Sequence, residues 1–168
     1  ATGVTEKKGN GGAVSINKTM GAAEMMNINN VVFSSNSASY QGGAIRVAEN
    51  CSLLVNNCTF TKNRANTSVN VTYPGEGGAI AVLSKQDAPS TLTMNGGSFT
   101  GNTAMGSKGG AVKIGGFGPL TLTGSLTMNG NTAANGGAVT VAPGANVNME
   151  SGTISGKIPV IGGKGWGD

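Results

Sequence analysis

Gly77-Gly78-Ala79-Ile80-Ala81-Val82 opens on a tetrapeptide that the chain uses five times. The other copies are Gly11-Gly12-Ala13-Val14, Gly42-Gly43-Ala44-Ile45, Gly109-Gly110-Ala111-Val112 and Gly136-Gly137-Ala138-Val139. A motif that returns every ~20–50 residues marks a repeat architecture, in which each unit buries its apolar face only against its neighbours. After each glycine pair the apolar residues alternate: Val14 and Ile16, Ile45 and Val47, Ile80 and Val82, Val112 and Ile114, Val139 and Val141. Period two is the signature of a strand with one buried face. Between them stand Ser15, Arg46, Ala81, Lys113 and Thr140, a mixture that predicts a solvent-facing slot.

A second motif follows each tetrapeptide. It reads Phe33-Ser34-Ser35-Asn36, Phe60-Thr61-Lys62-Asn63, Phe99-Thr100-Gly101-Asn102 and Met128-Asn129-Gly130-Asn131, and degenerates to Ile154-Ser155-Gly156-Lys157. Upstream at matching offsets lie further apolar pairs: Met26 and Ile28, Leu53 and Val55, Leu92 and Met94, Val147 and Met149. Leu120 and Leu122 join this series after a one-residue insertion. No stretch carries helix caps with a 3.6-residue pattern long enough for a crossover helix. The units must therefore stack through parallel strand ladders ~4.8 Å apart. The fold class is all-β, a right-handed parallel β-helix of about five rungs. Phe33, Phe60 and Phe99 are expected to pile inside it, with Met128 and Ile154 continuing the pile. Asn36, Asn63, Asn102 and Asn131 are expected to form a ladder at one corner, since a side-chain amide donates and accepts in both directions. The paired glycines Gly42-Gly43, Gly77-Gly78, Gly109-Gly110 and Gly136-Gly137 would let the chain turn with positive φ and approach the next rung closely.

Composition supports an ordered single domain. Glycine is over-used, at 30 of 168 residues, and charged residues make up only 11%. Such values also occur in low-complexity disorder, but a disordered chain has no reason to keep apolar residues in register across five units. The formal charge of +4 reflects scarce acids rather than a basic patch. Lys7-Lys8 is the only adjacent basic pair, and no stacking aromatics accompany it, so nucleic acid is not an expected partner. No segment reaches the ~18 apolar residues of a membrane-spanning helix. With no His and two Cys, a zinc shell cannot be completed, and no cofactor is expected. Cys51 and Cys58 lie seven residues apart; they form one disulfide or remain two buried thiols.

Unit length varies only outside the strands. Residues 66–75 form an extra loop at a corner, and Asn66, Asn70, Tyr73 and Glu76 are candidate binding residues on it, because solenoid insertions are where binding tends to reside. A smaller excursion runs from Ser84 to Pro89. Residues 1–10 read as a lead-in or cap, 11–157 as the β-helix, and 158–168 as the start of a sixth rung or a cap with Trp166 as its contact. Asn-x-Ser/Thr sequons at Asn17, Asn50, Asn57, Asn66 and Asn70 are close to the number that this composition gives by chance.

The pair of motifs resembles the repeats of chlamydial polymorphic outer membrane proteins and of other repetitive bacterial surface proteins. Asn135 to Val141 followed by Met149 to Gly156 is similar to that wider set. The resemblance implies a secreted or surface-displayed chain that adheres to cells or builds extracellular structure. Its partners would be a host or cell-surface receptor, a glycan, or further copies of itself stacked end to end into a filament.

Two other classes compete. A polysaccharide-active enzyme needs acid and base groups close together, usually two carboxylates. The seven acids are dispersed, and only Glu49 and Glu76, at neighbouring corners, are candidates to approach one another. Ice binding needs a regular Thr face, whereas the slots between the upstream apolar pairs read Asn27, Leu54, Thr93, Thr121 and Asn148. The expectation is a non-enzymatic extracellular protein without catalytic residues.

Overall fold

The computed structural model describes residues 9–17, 25–66 and 75–155. The first rung carries β1 (Val14–Ile16), β2 (Met25–Asn29), β3 (Val32–Ser34) and β4 (Ser37–Ala38). The second repeats it as β5 (Ile45–Val47), β6 (Ser52–Asn56), β7 (Thr59–Thr61) and β8 (Arg64–Ala65). In the third, the middle segments merge into β10 (Thr91–Thr100), between β9 (Ile80–Val82) and β11 (Thr103–Lys108). The fourth holds β12 (Val112–Ile114), β13 (Pro119–Asn129) and β14 (Thr132–Asn135). Then come β15 (Val139–Val141), β16 (Asn146–Met149) and β17 (Thr153–Ile154). No helix occurs among the described residues.

Like strands pile on like in three parallel sheets. The first runs β1-β5-β9-β12-β15 and the third β4-β8-β11-β14. The second joins β2, β6, β10, β13 and β16, with β3, β7 and β17 on the same sheet. Among the described residues the third sheet has four strands, so the column makes about four full turns there, and β15, β16 and β17 belong to a fifth. Register follows the alternation of the sequence. Ile45 pairs with Ile80 and Val112 with Val139 on the first sheet, and Leu53, Leu92 and Leu120 align on the second. The one-residue insertion is a register shift between Asn95 and Gly97 against β13, where Asn95 faces Thr123 but Gly97 faces Leu126. The shift keeps Leu120, Leu122, Leu126 and Met128 all inside.

The core is one continuous apolar cluster running through the rungs. Phe33 stacks on Phe60 with ring centroids 4.8 Å apart, and Phe60 on Phe99 at 4.4 Å, each pair 10° from parallel. The rung spacing sets these distances, so the rings stack face on face with their neighbours in the ladder. Phe60, fully buried between two rings, is a strong test. Phe60→Ala is expected to lower unfolding free energy by about 3–5 kcal/mol, read from urea denaturation followed by circular dichroism. Phe33→Ala, which has one ring neighbour among the described residues, should cost clearly less.

The corner after each Phe has a conformational reason. Ser35, Lys62, Gly101 and Gly130 occupy one slot, with φ of 56°, 54°, 64° and 61°. This left-handed residue turns the chain so that the following Asn points inward. Asn36 Nδ2 donates to Asn63 Oδ1 at 2.9 Å, Asn63 Nδ2 to Asn102 Oδ1 at 3.0 Å, and Asn102 Nδ2 to Asn131 Oδ1 at 2.9 Å. The second proton of each lower amide goes to the carbonyl of a Phe one rung back: Asn63 to Phe33, Asn102 to Phe60, Asn131 to Phe99. Asn63 and Asn102 are fully buried, and such groups are tolerated only when paired in this way.

Two expectations are corrected. The slots between the apolar pairs of the first sheet are not uniformly exposed. Ser15 is exposed, but Ala81 is 0% and Thr140 1% accessible. Arg46 and Lys113 flank Ala81 in the ladder, and Thr140 Oγ1 donates to Asn135 O at 2.9 Å. The disulfide does not form either. Cys51 and Cys58 lie at opposite ends of the extended strand β6, and at ~3.3 Å per residue five strand residues separate them far beyond the ~7 Å limit of a bridge. Cys51 Sγ donates to Glu49 O at 3.5 Å, while Cys58 Sγ lies 3.3 Å from Asn56 O and 3.4 Å from Ile28 O. Both thiols are buried.

Candidate functional site

The corner that precedes each glycine pair stacks Asn10, Gln41, Glu76 and Lys108 as successive β-bridges. Residue 10 is therefore already part of the column, while residues 1–8 and 156–168, including Trp166, lie outside the described residues. Backbone pairing fixes this stack: Gly42 N donates to Glu76 O at 3.0 Å and Gly77 N to Lys108 O at 3.0 Å. Glu76 is thus built into the solenoid wall rather than displayed on a loop. Its Oε2 accepts from Gln41 Nε2 at 3.0 Å and pairs with Lys113 Nζ at 3.1 Å. Gln41 is 4% and Glu76 8% accessible.

The extra loop is described only at its base. Asn66 donates through Nδ2 to Ser37 Oγ at 3.3 Å; Asn70 and Tyr73 lie outside the described residues. The two candidate carboxylates are not brought together. Glu49 follows β5 and pairs with Lys85 at 3.0 Å, at the opposite end of the first sheet from Glu76. The hydrogen bond and charge of Glu49 hold the exposed Lys85 ammonium above its ordinary pKa. This is a solvated surface pair and sets up no acid–base chemistry.

The outward face of the second sheet is different in kind. Along β10 and β13 its slots carry Thr91, Thr93, Asn95, Thr121 and Thr123, continued after the bend by Thr100 and Thr127. None is charged, whereas the first sheet carries Arg46 and Lys113 and the third Arg64 and Lys108. The register shift opens a recess of about 470 Å³ on this face, lined by Gly124, Ser125, Leu126, Thr127, Ser151, Gly152 and Thr153. Ser151 Oγ donates to Gly124 O across it at 3.0 Å. An outer Asn column also runs here, with Asn56 Nδ2 donating to Asn29 Oδ1 at 2.6 Å. Its sequence signal is an Asn four residues before Phe33, Phe60 and Phe99; the insertion in the fourth unit hides the continuation at Thr123.

Residues 30–48 and 57–82 match the model of the Chlamydia polymorphic membrane protein repeat. The chain carries repeats of this type. The matched stretches contain Phe33 to Asn36 with Gly42 to Ile45, and Phe60 to Asn63 with Gly77 to Ile80. Each matched stretch thus runs from the Phe and Asn corner of one rung into the glycine pair and first strand of the next. The match supports a repeat protein of the cell surface. No curated protein and no solved structure matches the chain.

Proposed function

We propose that the chain is part of a non-enzymatic cell-surface adhesin, with the outward face of the second sheet as its binding surface. The observation that carries this reading is the segregation of charge. A broad sheet face of hydroxyl and amide side chains holds no ion over β10 and β13, while every neighbouring sheet holds cations. Such a face suits uncharged, hydroxyl-rich ligands, which exchange hydrogen bonds with Thr, Ser and Asn without the desolvation cost of burying an ion. The repeat match supports the location. Beads coated with the purified protein should bind cultured epithelial cells above albumin-coated beads. Thr93→Glu with Thr121→Glu, which charges the face without touching the core, should lower that binding. Parent beads that bind no better than albumin would overturn the proposal.

A second reading rests on Met26. It occupies the interior column of Leu53, Leu92 and Leu120, which are fully covered, yet it is 46% accessible. A further rung would cover this slot, and another copy stacked end to end in a filament is one source of it. Electron microscopy of the concentrated protein decides: filaments favour this reading, and particles of single-column length exclude it.

A further inference from the structure

We propose that Lys113 and Gln41 join in a self-catalysed isopeptide bond, with Glu76 as the proton carrier. One carboxylate oxygen, Glu76 Oε2, touches both reacting groups: Gln41 Nε2 at 3.0 Å and Lys113 Nζ at 3.1 Å. The amine and the carboxamide are therefore held no further apart than those two contacts allow. The three side chains come from three successive rungs. Gln41 lies ahead of β5, Glu76 ahead of β9, and Lys113 in the middle of β12. The Lys113 and Glu76 side chains are 12% and 11% accessible, and fully buried Ala81 is the ladder neighbour of Lys113.

The reaction begins in that contact, where a proton passes from Lys113 Nζ to Glu76 Oε2. The resulting amine is a nucleophile, kept near Gln41 by the Glu76 oxygen they share rather than drawn from solution. Nζ attacks Cδ of Gln41, and the new C–N bond forms as the carbonyl oxygen takes the charge. Glu76 hands its proton to Nε2, which already faces it, and takes one from Nζ. The Cδ–Nε2 bond then breaks and the carbonyl re-forms. Ammonia leaves, carrying away the surplus proton as ammonium, and Glu76 is again a carboxylate. One carboxamide and one ammonium become one secondary amide and one ammonium ion, with no oxidant or reductant.

The bond would tie the second rung to the fourth across the third. A solenoid whose rungs hold only their neighbours can open from either end, and this link removes that freedom in the middle of the column.

Intact mass of the full chain, measured after denaturation of material with a β-rich circular dichroism spectrum, is the test. The parent should be lighter than its sequence by one ammonia, and peptide mapping should recover a branched peptide containing Gln41 and Lys113. Lys113→Arg keeps the ion pair with Glu76 but cannot form the bond, so it should fold and show its full sequence mass. Glu76→Gln should do the same if it folds. Lys108→Arg, at the next position of the corner stack, should still lose ammonia. A folded parent at its full sequence mass would falsify the proposal. So would an ammonia loss that persists in Lys113→Arg, which would assign it to cyclic imides at Asn-Gly sites such as Asn95-Gly96.

Discussion

Asn102→Ala is expected to destabilise the column by about 4–6 kcal/mol, from four buried hydrogen bonds at ~1–1.5 kcal/mol each. The side chain accepts at Oδ1 from the backbone N of Asn63 at 2.9 Å and from Asn63 Nδ2 at 3.0 Å. Its Nδ2 donates to Phe60 O at 2.9 Å and to Asn131 Oδ1 at 2.9 Å. The loss is unequal among these partners. Asn131 Oδ1 keeps the backbone N of Asn102, and Asn63 Nδ2 keeps Phe33 O. The Asn63 N–H keeps nothing in the corner, and an orphaned buried donor is the costly case. The variant with its amide removed at the end of the ladder, Asn36→Ala, lacks a donor partner from a preceding rung among the described residues and should cost far less. Urea unfolding of parent, Asn36→Ala and Asn102→Ala, with an unchanged denaturant slope, measures both. A cost below ~1 kcal/mol for Asn102→Ala would mean that water replaces the ladder and that the amides are not what holds the corner.

Most of this fold can be read from residue type and spacing, because a solenoid repeats each local decision in every rung. Val14, Ile45, Ile80, Val112 and Val139 announce one column, and the displaced Leu120 and Leu122 announce the register shift by their spacing alone. Asn36, Asn63, Asn102 and Asn131 are equally legible, each standing three residues after an interior aromatic or Met. What was not legible depends on distances across rungs and on what covers a face. Arg46, Ala81, Lys113 and Thr140 look like a solvent-facing series in sequence, yet two of them are fully covered and Lys113 nearly so. The pairing of Lys113 with Glu76 joins a strand slot to a corner one rung back, an offset that no local pattern signals. Cys51 and Cys58 misled in the opposite sense: closeness in sequence along an extended strand is distance in space. Glu76 looked like part of an inserted loop because the insertion ends beside it, but the bridge to Gln41 places it in the wall.

The glycine pair supplies the sharpest steric limit. A Cβ on Gly78 would lie 2.0 Å from Gly110 O, 2.6 Å from Thr103 N and 2.7 Å from Thr103 C. All three are backbone atoms, so no side chain can swing away, and the rung above would have to move by an ångström or more. That rung is held by Gly78 N to Gly109 O at 3.0 Å and Ala79 N to Ala111 O at 2.9 Å. The neighbour Gly77 adds a conformational demand, with φ of 65° and a Cβ position 2.2 Å from Ile80 O. Gly78→Ala should therefore cost more than ~4 kcal/mol, in the range reserved for severe core damage, and lose the cooperative urea transition. Gly101→Asn is the matched control. Gly101 has an equally positive φ of 64°, but its nearest added contact is Lys62 Cγ at 3.7 Å, and Ser35 and Lys62 already occupy the same slot. Asn tolerates the left-handed region, so that variant should unfold within about 1 kcal/mol of the parent. If Gly78→Ala unfolds with the parent as well, the close approach of successive rungs at the glycine corner is wrong. The tetrapeptide would then owe its five copies to backbone freedom alone, which Gly77 supplies without Gly78.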